Sequence, residues 1–467
     1  MGDGLAMKNN SPNKMETMPV KKLVINVSVP LMISLLVQSL YNIVDSIFVA
    51  RISEEALTAT SLAYPVQMLM IAVSVGTGVG INSLISRKIG AKDYEAVGNI
   101  STTGFLLGAA SSLVFVLFGT FLAPWFFSLY TQDAALLEPS IVYLRICTWF
   151  SLGIFIAAIV ERMLQSTGKT SLSMAAQISG CVVNIILDPI MIFGYFGCPA
   201  MGAAGAAIAT VIGQWVAAIV AILLNLFCNK QVGIKIRGYK PEKSVIATIY
   251  KVGLPSMMVQ AMGSLMIMSV NNILVVYSAT AVAFFGIYYK LQNFVFMPSS
   301  GIAQGLIPIV GYNYGAKRPE KIVEAIRFAA LLAGIVMAVG TFLFNVIPAR
   351  LLGLYHASEA MLEMGVPALR ILSLIFISTA IVLVIGYAYT GMGNGMVNMV
   401  GTLLRQLLPV PIIYFTAKYA GVDRVWYVFW FSDICALTYA LLTIRNTYQK
   451  VLKPMGEKSA DACDRAD

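Results

Sequence analysis

The sequence predicts an all-α integral membrane protein with about twelve transmembrane helices in two pseudo-symmetric six-helix bundles. Three observations carry this expectation. The 467-residue chain is 58% hydrophobic and only 12% charged, with a mean hydropathy of +0.80, whereas soluble domains carry roughly a quarter charged residues. Its apolar runs are about 20 to 30 residues long, enough for a helix to cross the hydrocarbon core, while barrel strands need only about ten alternating residues. Finally, the sequence repeats itself at an offset of 225 residues, from Pro30 to Pro255 onward.

The spans centre near Leu35, Met70, Leu107, Leu152, Val183, Val216, Met262, Met297, Leu332, Leu374, Leu408 and Cys435. The first 22 residues are polar and mixed, without a short apolar region and cleavage site, so no cleaved signal peptide is expected. An even number of spans puts both termini on one side. With the N terminus inside, 23 of the 32 lysines and arginines fall in inner segments and four in outer loops. The positive-inside rule then predicts a multi-pass protein of the cell membrane with both termini cytoplasmic. The net charge of +10 is thereby explained by orientation, and no nucleic-acid partner is expected. The six cysteines are scattered without paired spacing, so neither a disulfide framework nor a zinc site is indicated.

The repeat sets the domain plan. At the 225 offset "VPLM" from Val29 meets "LPSM" from Leu254, Gly76 meets Gly301, and "GAK" at Gly90 meets "GAK" at Gly315. "LY" at Leu129 meets "LY" at Leu354, "LRI" at Leu144 meets "LRI" at Leu369, and Gly168 meets Gly393. The expected layout is a cytoplasmic tail at 1–22, a bundle at 23–228, a basic linker at 229–244, a second bundle at 245–447 and a tail at 448–467. Six spans per half make the repeats parallel, related by an axis along the membrane normal. Secondary transporters are commonly built this way, with the substrate path between halves that rock against each other.

Ionisable residues inside spans are functional candidates because each costs at least a few kcal/mol at the bilayer centre. Asp45, Glu161, Asp188 and Asp433 are the acidic ones. "NIILDPIMIF" sets Asn184 and Asp188 at i and i+4, on one helix face, and Pro189 removes a backbone donor beside them, which allows a local kink. Counting from the outer ends at about 1.5 Å per residue places Asp45, Asp188 and Thr210 at a common depth of roughly 10 Å. Two carboxylates, an amide and a hydroxyl form the oxygen-only set that hard cations prefer. Two facing carboxylates in a dry site cannot both stay ionised unpaired, so the pair takes up a proton or a cation. Isolated polar contacts of Asp45 and Asp188 are the alternative, weakened by the lack of a base at this depth in the first half. The offset does not repeat the cluster, so coupling is expected in the first half alone.

The remaining candidates are less specific. Tyr41, Tyr64, Met68, Tyr288 and Phe296 could line a cavity for cationic compounds through ring faces and thioether contacts, or pack within the bundle. Lys290, about nine residues inside the eighth span, either faces that cavity or pairs with Asp433. Arg405 has no partner that spacing identifies. No H-E-x-x-H or comparable catalytic constellation occurs, so no enzyme is expected.

The strings "YNIVDSIFVAR", "GTGVGINSLISRKIGAKDYEAV", "MLQSTGKTSLSM", "NIILDPIMIFG" and "GIAQGLIPIVGYNYGAKRPEK" resemble those of multidrug and toxic compound extrusion (MATE) exporters, bacterial members above all, across about residues 22 to 447. The resemblance implies a V-shaped pair of bundles that exports bulky, often cationic amphipathic drugs by alternating access, driven by inward sodium or proton flow. It implies that the first-half cation site maps onto Asp45, Asn184, Asp188 and Thr210, all of matching type, with sodium held there if sodium is the coupling ion. No cofactor beyond the coupling ion is expected; the protein is expected to act as a monomer in the lipid bilayer, on drug-like small molecules and a monovalent cation. Some members carry carboxylates in spans seven, eight or ten, and this chain has none there, which makes Lys290 a departure. Related lipid-linked oligosaccharide flippases share the repeat, but an arginine-rich cavity would be expected of them.

Overall fold

A computed structural model describes residues 14–52, 54–130, 133–233, 239, 241–355 and 357–457. Of the expected tails and linker, residues 1–13, 234–238, 240 and 458–467 lie outside the described residues. The described chain is helical. The main helices are α1 (Val20–Ala50), α2 (Glu54–Gly90), α3 (Tyr94–Leu117), α4 (Ala134–Trp149), α5 (Leu152–Ser166), α6 (Thr170–Phe193) and α7 (Ala203–Cys228). The second half follows with α8 (Lys243–Leu274), α9 (Ala279–Gly315), α10 (Pro319–Val346), α11 (Glu359–Ser373), α12 (Phe376–Met392), α13 (Gly395–Gln406), α14 (Pro409–Ala420) and α15 (Val425–Thr447). Among the described residues ten helices are long and apolar enough to cross a membrane, and twelve when each of two bent pairs counts as one span. The last long helix continues to Glu457, so the part of the expected C-terminal tail that is described, 448–457, is helical.

The repeat is visible in the backbone. The α2 to α3 turn closes with Lys92 N–H on the Ile89 carbonyl and Asp93 N–H on the Lys88 carbonyl, and the α9 to α10 turn with Lys317 on Tyr314 and Arg318 on Asn313. Lys92 and Lys317 both take the left-handed conformation, at φ +60° and +55°. The turns after α5 and α12 match in the same way, with Gly168 and Gly393 at φ +77° and +91°. Glycine suits these helix ends because it has no Cβ to oppose a positive φ.

The two bent pairs are also equivalent. α4 meets α5, and α11 meets α12, each at 44°. No proline stands at either break. Thr148 Oγ1 donates to the carbonyls of Leu144 and Arg145, and its repeat counterpart Ser373 Oγ donates to the carbonyl of Arg370. Hydroxyls that bond back to the preceding turn bend helices.

The chain divides into two compact units, and they differ from the bundles drawn at 23–228 and 245–447. Of the described residues, those within 33–253, with the short helix Lys14–Thr17, form the first unit, and those within 18–32 and 254–457 form the second. The opening segments of α1 and α8 are thus exchanged. Within the first unit, α2 receives Ile249 and Gly253 of α8 at Gly80 and Gly76. Within the second, α9 receives Ser28 and Met32 of α1 at Gly305 and Gly301, where a Cβ on Gly301 would lie 2.8 Å from the Cα of Met32. Ser28 Oγ donates to the Ile302 carbonyl at 3.4 Å. Four glycines at equivalent positions therefore do one job: they let an exchanged helix approach backbone to backbone.

Candidate functional site

The expected cation cluster assembles inside the first unit. Its base is the tight α6 and α7 pair. Gly180 and Gly213 face each other so closely that a Cβ on Gly180 would lie 2.6 Å from the Gly213 carbonyl oxygen, and one on Gly213 would lie 3.0 Å from the Cβ of Asn184. This approach sets Asn184 against Thr210. α6 continues through Pro189 to Phe193 and ends on Gly194 in the left-handed conformation, so the proline leaves the helix unbroken.

Asn184, Asp188 and Thr210 are buried, Asp188 completely. With the Asn184 amide oriented to satisfy both neighbours, its nitrogen donates to Asp188 Oδ2 at 3.2 Å and its oxygen accepts from the Thr210 N–H at 3.1 Å. α1 brings the fourth member: the carboxyl groups of Asp45 and Asp188 face each other within hydrogen-bonding reach. Asp45 Oδ1 is buried and has no hydrogen-bond partner. A buried acceptor without a donor is costly, and this one points to a positive occupant. No group of three or more His, Cys, Asp or Glu gathers among the described residues. The cluster is two facing carboxyls with the Asn184 amide nitrogen on one of them and Thr210 beside it.

Three residues beside the cluster escaped the sequence reasoning. Gln67 on α2 donates to the Tyr143 hydroxyl at 3.1 Å and to Cys147 Sγ at 3.6 Å, both on α4. Asp45 lies within electrostatic reach of Tyr143 and Cys147. Tyr41 also belongs here, within reach of both Asp45 and Asp188. An uncharged Gln67 inside the apolar stretch "YPVQMLM" was the available signal, together with Tyr143 and Cys147 at i and i+4.

The candidate cavity residues scatter more widely. Tyr64 is exposed, at 53%, and Met68 is half-buried on the same helix. Tyr288 is packed into the second unit at 2% exposure, beside Phe284 and Phe285. Phe296 is buried edge to face against Phe376. Lys290 does not pair with Asp433. Its Nζ lies over the Tyr355 ring, 5.9 Å from the centroid, while Asp433 accepts from Ser378 and, at 2.8 Å, from Thr379. Asp433 sits on α15 where the α12 hydroxyls reach it first, which a one-dimensional depth count cannot show. Arg405, without a partner from spacing, stacks on the Phe296 ring at 5.5 Å.

The MatE family model matches this chain twice, at residues 30–190 and 255–415, the same 225-residue offset and more than half of the chain. The chain belongs to the MATE family of membrane transporters. Among its relatives, the multidrug export protein MepA of Staphylococcus aureus (strain MRSA252) is 25% identical over 442 residues, covering 93% of this chain and 96% of that protein. MepA of Staphylococcus saprophyticus is 24% identical over the same length. A structure described as the outward-facing conformation of a multidrug resistance MATE transporter of the MOP superfamily superposes with a TM-score of 0.87 at 26% identity, over 96% of this chain and all of that one. A Pyrococcus furiosus MOP transporter, described as having a binding pocket of reversed polarity that suggests a different function, matches at 0.84 and 26%, over 96% of this chain and 99% of that one.

Proposed function

We propose that this MATE protein is a secondary antiporter that exports amphipathic, often cationic, drug-like compounds across the plasma membrane in exchange for inward-moving sodium ions or protons. It works as a monomer by alternating access, with both termini in the cytoplasm. The observation that carries the coupling is the Asp45 and Asp188 carboxyl pair with its orphaned buried Oδ1. The export reading is supported by family membership and by the full-length similarity to multidrug export proteins.

Each residue of the cluster has a distinct task. Asp45 and Asp188 present facing acceptors in a poorly screened setting, where an empty pair repels and an occupied pair attracts. Asn184 keeps the Asp188 carboxyl aimed at Asp45, and Thr210 fixes the Asn184 amide through its N–H. Ion uptake thus draws α1 toward α6, and ion loss releases it. Pro30 removes a helical hydrogen bond just before α1 passes from the second unit to the first, between residues 32 and 33, so the helix bends most easily there.

Dye efflux from vesicles with an imposed sodium or proton gradient tests this reading. One of the two gradients drives efflux by the wild type and fails to drive Asp45→Asn; coupled efflux that persists unchanged in Asp45→Asn refutes the assignment.

A further inference from the structure

The first unit holds open a groove whose counterpart in the second unit is packed shut. It lies where the end of α2 meets the first turns of α3 and the start of α8, and its volume is about 240 Å³. Leu84 and Ile100 make an apolar floor, and Lys88, Asn99, Glu242, Ser244 and Thr248 supply the polar atoms. Beside it the Tyr239 hydroxyl meets the Thr103 hydroxyl at 2.8 Å, one helical turn beyond Asn99, which ties the linker to α3.

The repeat shows that the opening belongs to these residues and not to the fold. At the 225 offset Val245 and Thr248 of α8 correspond to Val20 and Leu23 of α1, and Leu84, Lys88 and Ile100 to Ile309, Asn313 and Ala325. All five second-unit residues are buried, Val20 being the most exposed at 4%. In the first unit Lys88, Val245 and Thr248 stay half-buried around the groove. Threonine and lysine stand where the second unit has leucine and asparagine, and they leave the space open and polar.

The groove sits at the ends of spans, within reach of lipid headgroups. Lys88 is two residues from the end of the span Thr58–Gly90, Asn99 five from the start of Tyr94–Ser128, and Thr248 five from the start of Lys243–Leu274. Donors and acceptors face it from different helices. On α2 and α3, Lys88 gives one N–H to Asp93 at 2.8 Å and keeps two, and Asn99 adds an amide, a pairing that suits a phosphodiester. On the α8 side, Thr248 Oγ1 donates to the Ser244 carbonyl at 2.7 Å and Ser244 Oγ to Glu242 Oε2 at 3.5 Å. Those two hydroxyls therefore offer lone pairs, and with the Glu242 carboxylate they suit the three N–H groups of a primary ammonium. A quaternary ammonium is held by aromatic faces, and no aromatic residue is among the described residues that line this groove. The volume takes about eight water-sized groups, the bulk of one phosphoethanolamine.

We propose that this groove binds the headgroup of a phospholipid bearing a primary ammonium, with the phosphate against Lys88 and Asn99 and the ammonium against Glu242, Ser244 and Thr248. The ligand is a component of the bilayer and not a transported compound, so the inference stands apart from the export reading.

The test mixes full-length protein in detergent micelles with equal amounts of dioleoyl phosphatidylethanolamine, phosphatidylcholine and phosphatidylglycerol and reads the retained lipids by native mass spectrometry. The wild type retains the ethanolamine lipid about tenfold or more over each of the others, the difference expected for one hydrogen bond between charged groups. Glu242→Gln, a change at an exposed residue, reduces the lead over the choline lipid to about threefold or less. Thr248→Leu, which copies Leu23, fills the groove and abolishes the lead while the melting midpoint holds; should that variant melt lower, Glu242→Gln decides by itself. Phosphoethanolamine free in solution at millimolar concentration does not displace the lipid. Equal retention of the three lipids by the wild type overturns the proposal, as does a lead that survives Glu242→Gln. Preferential retention of phosphatidylglycerol would show attraction to positive charge alone and overturn it too, and displacement by free phosphoethanolamine would overturn the assignment to a lipid.

Discussion

Gly80 and Gly305 occupy equivalent places in the repeat, yet alanine there should have unequal consequences. A Cβ on Gly80 would press on the Ile249 carbonyl oxygen, with the carbonyl carbon at 3.1 Å and Cγ2 at 3.0 Å. The obstacle is helix backbone, which cannot turn aside. A Cβ on Gly305 would meet Ser28 Oγ at 2.7 Å, with the next atom, Ser28 Cα, at 3.4 Å. That hydroxyl can rotate at the expense of one weak hydrogen bond to Ile302, about 1 kcal/mol. Alanine recovers about 0.8–1.0 kcal/mol of helix propensity at either position, so Gly305→Ala comes out close to neutral. Gly80→Ala carries an overpacking cost at the upper end of the usual ~1–3 kcal/mol, for a net loss of about 2 kcal/mol. For units of this size that is roughly 4–8 °C in the melting midpoint. Detergent-purified protein heated stepwise and assayed for remaining monodisperse material reads the order directly. A Gly305→Ala variant that loses as much as Gly80→Ala would refute the argument that the Gly80 contact is backbone-limited and the Gly305 contact is not.

Asp45→Asn removes one of two anionic ligands from the proposed coupling site; at about 4 Å and an effective dielectric of about 20 that interaction is worth about 4 kcal/mol, roughly a thousandfold in ion affinity, measurable as the ion concentration that half-saturates transport, with a shift under about tenfold arguing against two-carboxyl binding. Gln67→Leu strips Tyr143 and Cys147 of their donor and should cost about 1–3 kcal/mol, read as a lower melting midpoint, with no loss if the three groups are not coupled. Asp93 caps α3 by accepting from the Ala96 N–H at 3.2 Å, so Asp93→Ala should cost about 1 kcal/mol of helix stability, seen as faster hydrogen exchange at the start of α3. Lys88, bonded to Asp93 at 2.8 Å, holds that carboxyl below its usual range. The resulting small stabilisation is present above the unfolded carboxylate value near 3.9 and fades as pH falls through the lower folded value; Asp93→Asn should remove this acid-side dependence, and an unchanged profile would show that the exposed pair contributes nothing.

The sequence disclosed the carboxyl cluster and hid its neighbours for one physical reason. Asn184 and Asp188 are placed on one face by helical periodicity alone, and Asp45 and Thr210 are placed at the same depth by rise per residue, so two regularities that sequence carries were enough to name all four. The repeat was legible for a similar reason: left-handed turns at Lys92 and Lys317, and backbone contacts at Gly76, Gly80, Gly301 and Gly305, restrict residue identity strongly enough to leave matching letters. Gln67 meeting Tyr143, and Ser378 and Thr379 meeting Asp433, depend instead on the rotation of one helix against another, which no spacing along a single chain encodes. The 44° bends were missed because hydroxyls at Thr148 and Ser373 make them without proline. The same limit explains Arg405: spacing could show only an arginine without a partner, while the structure seats its guanidinium over the Phe296 ring.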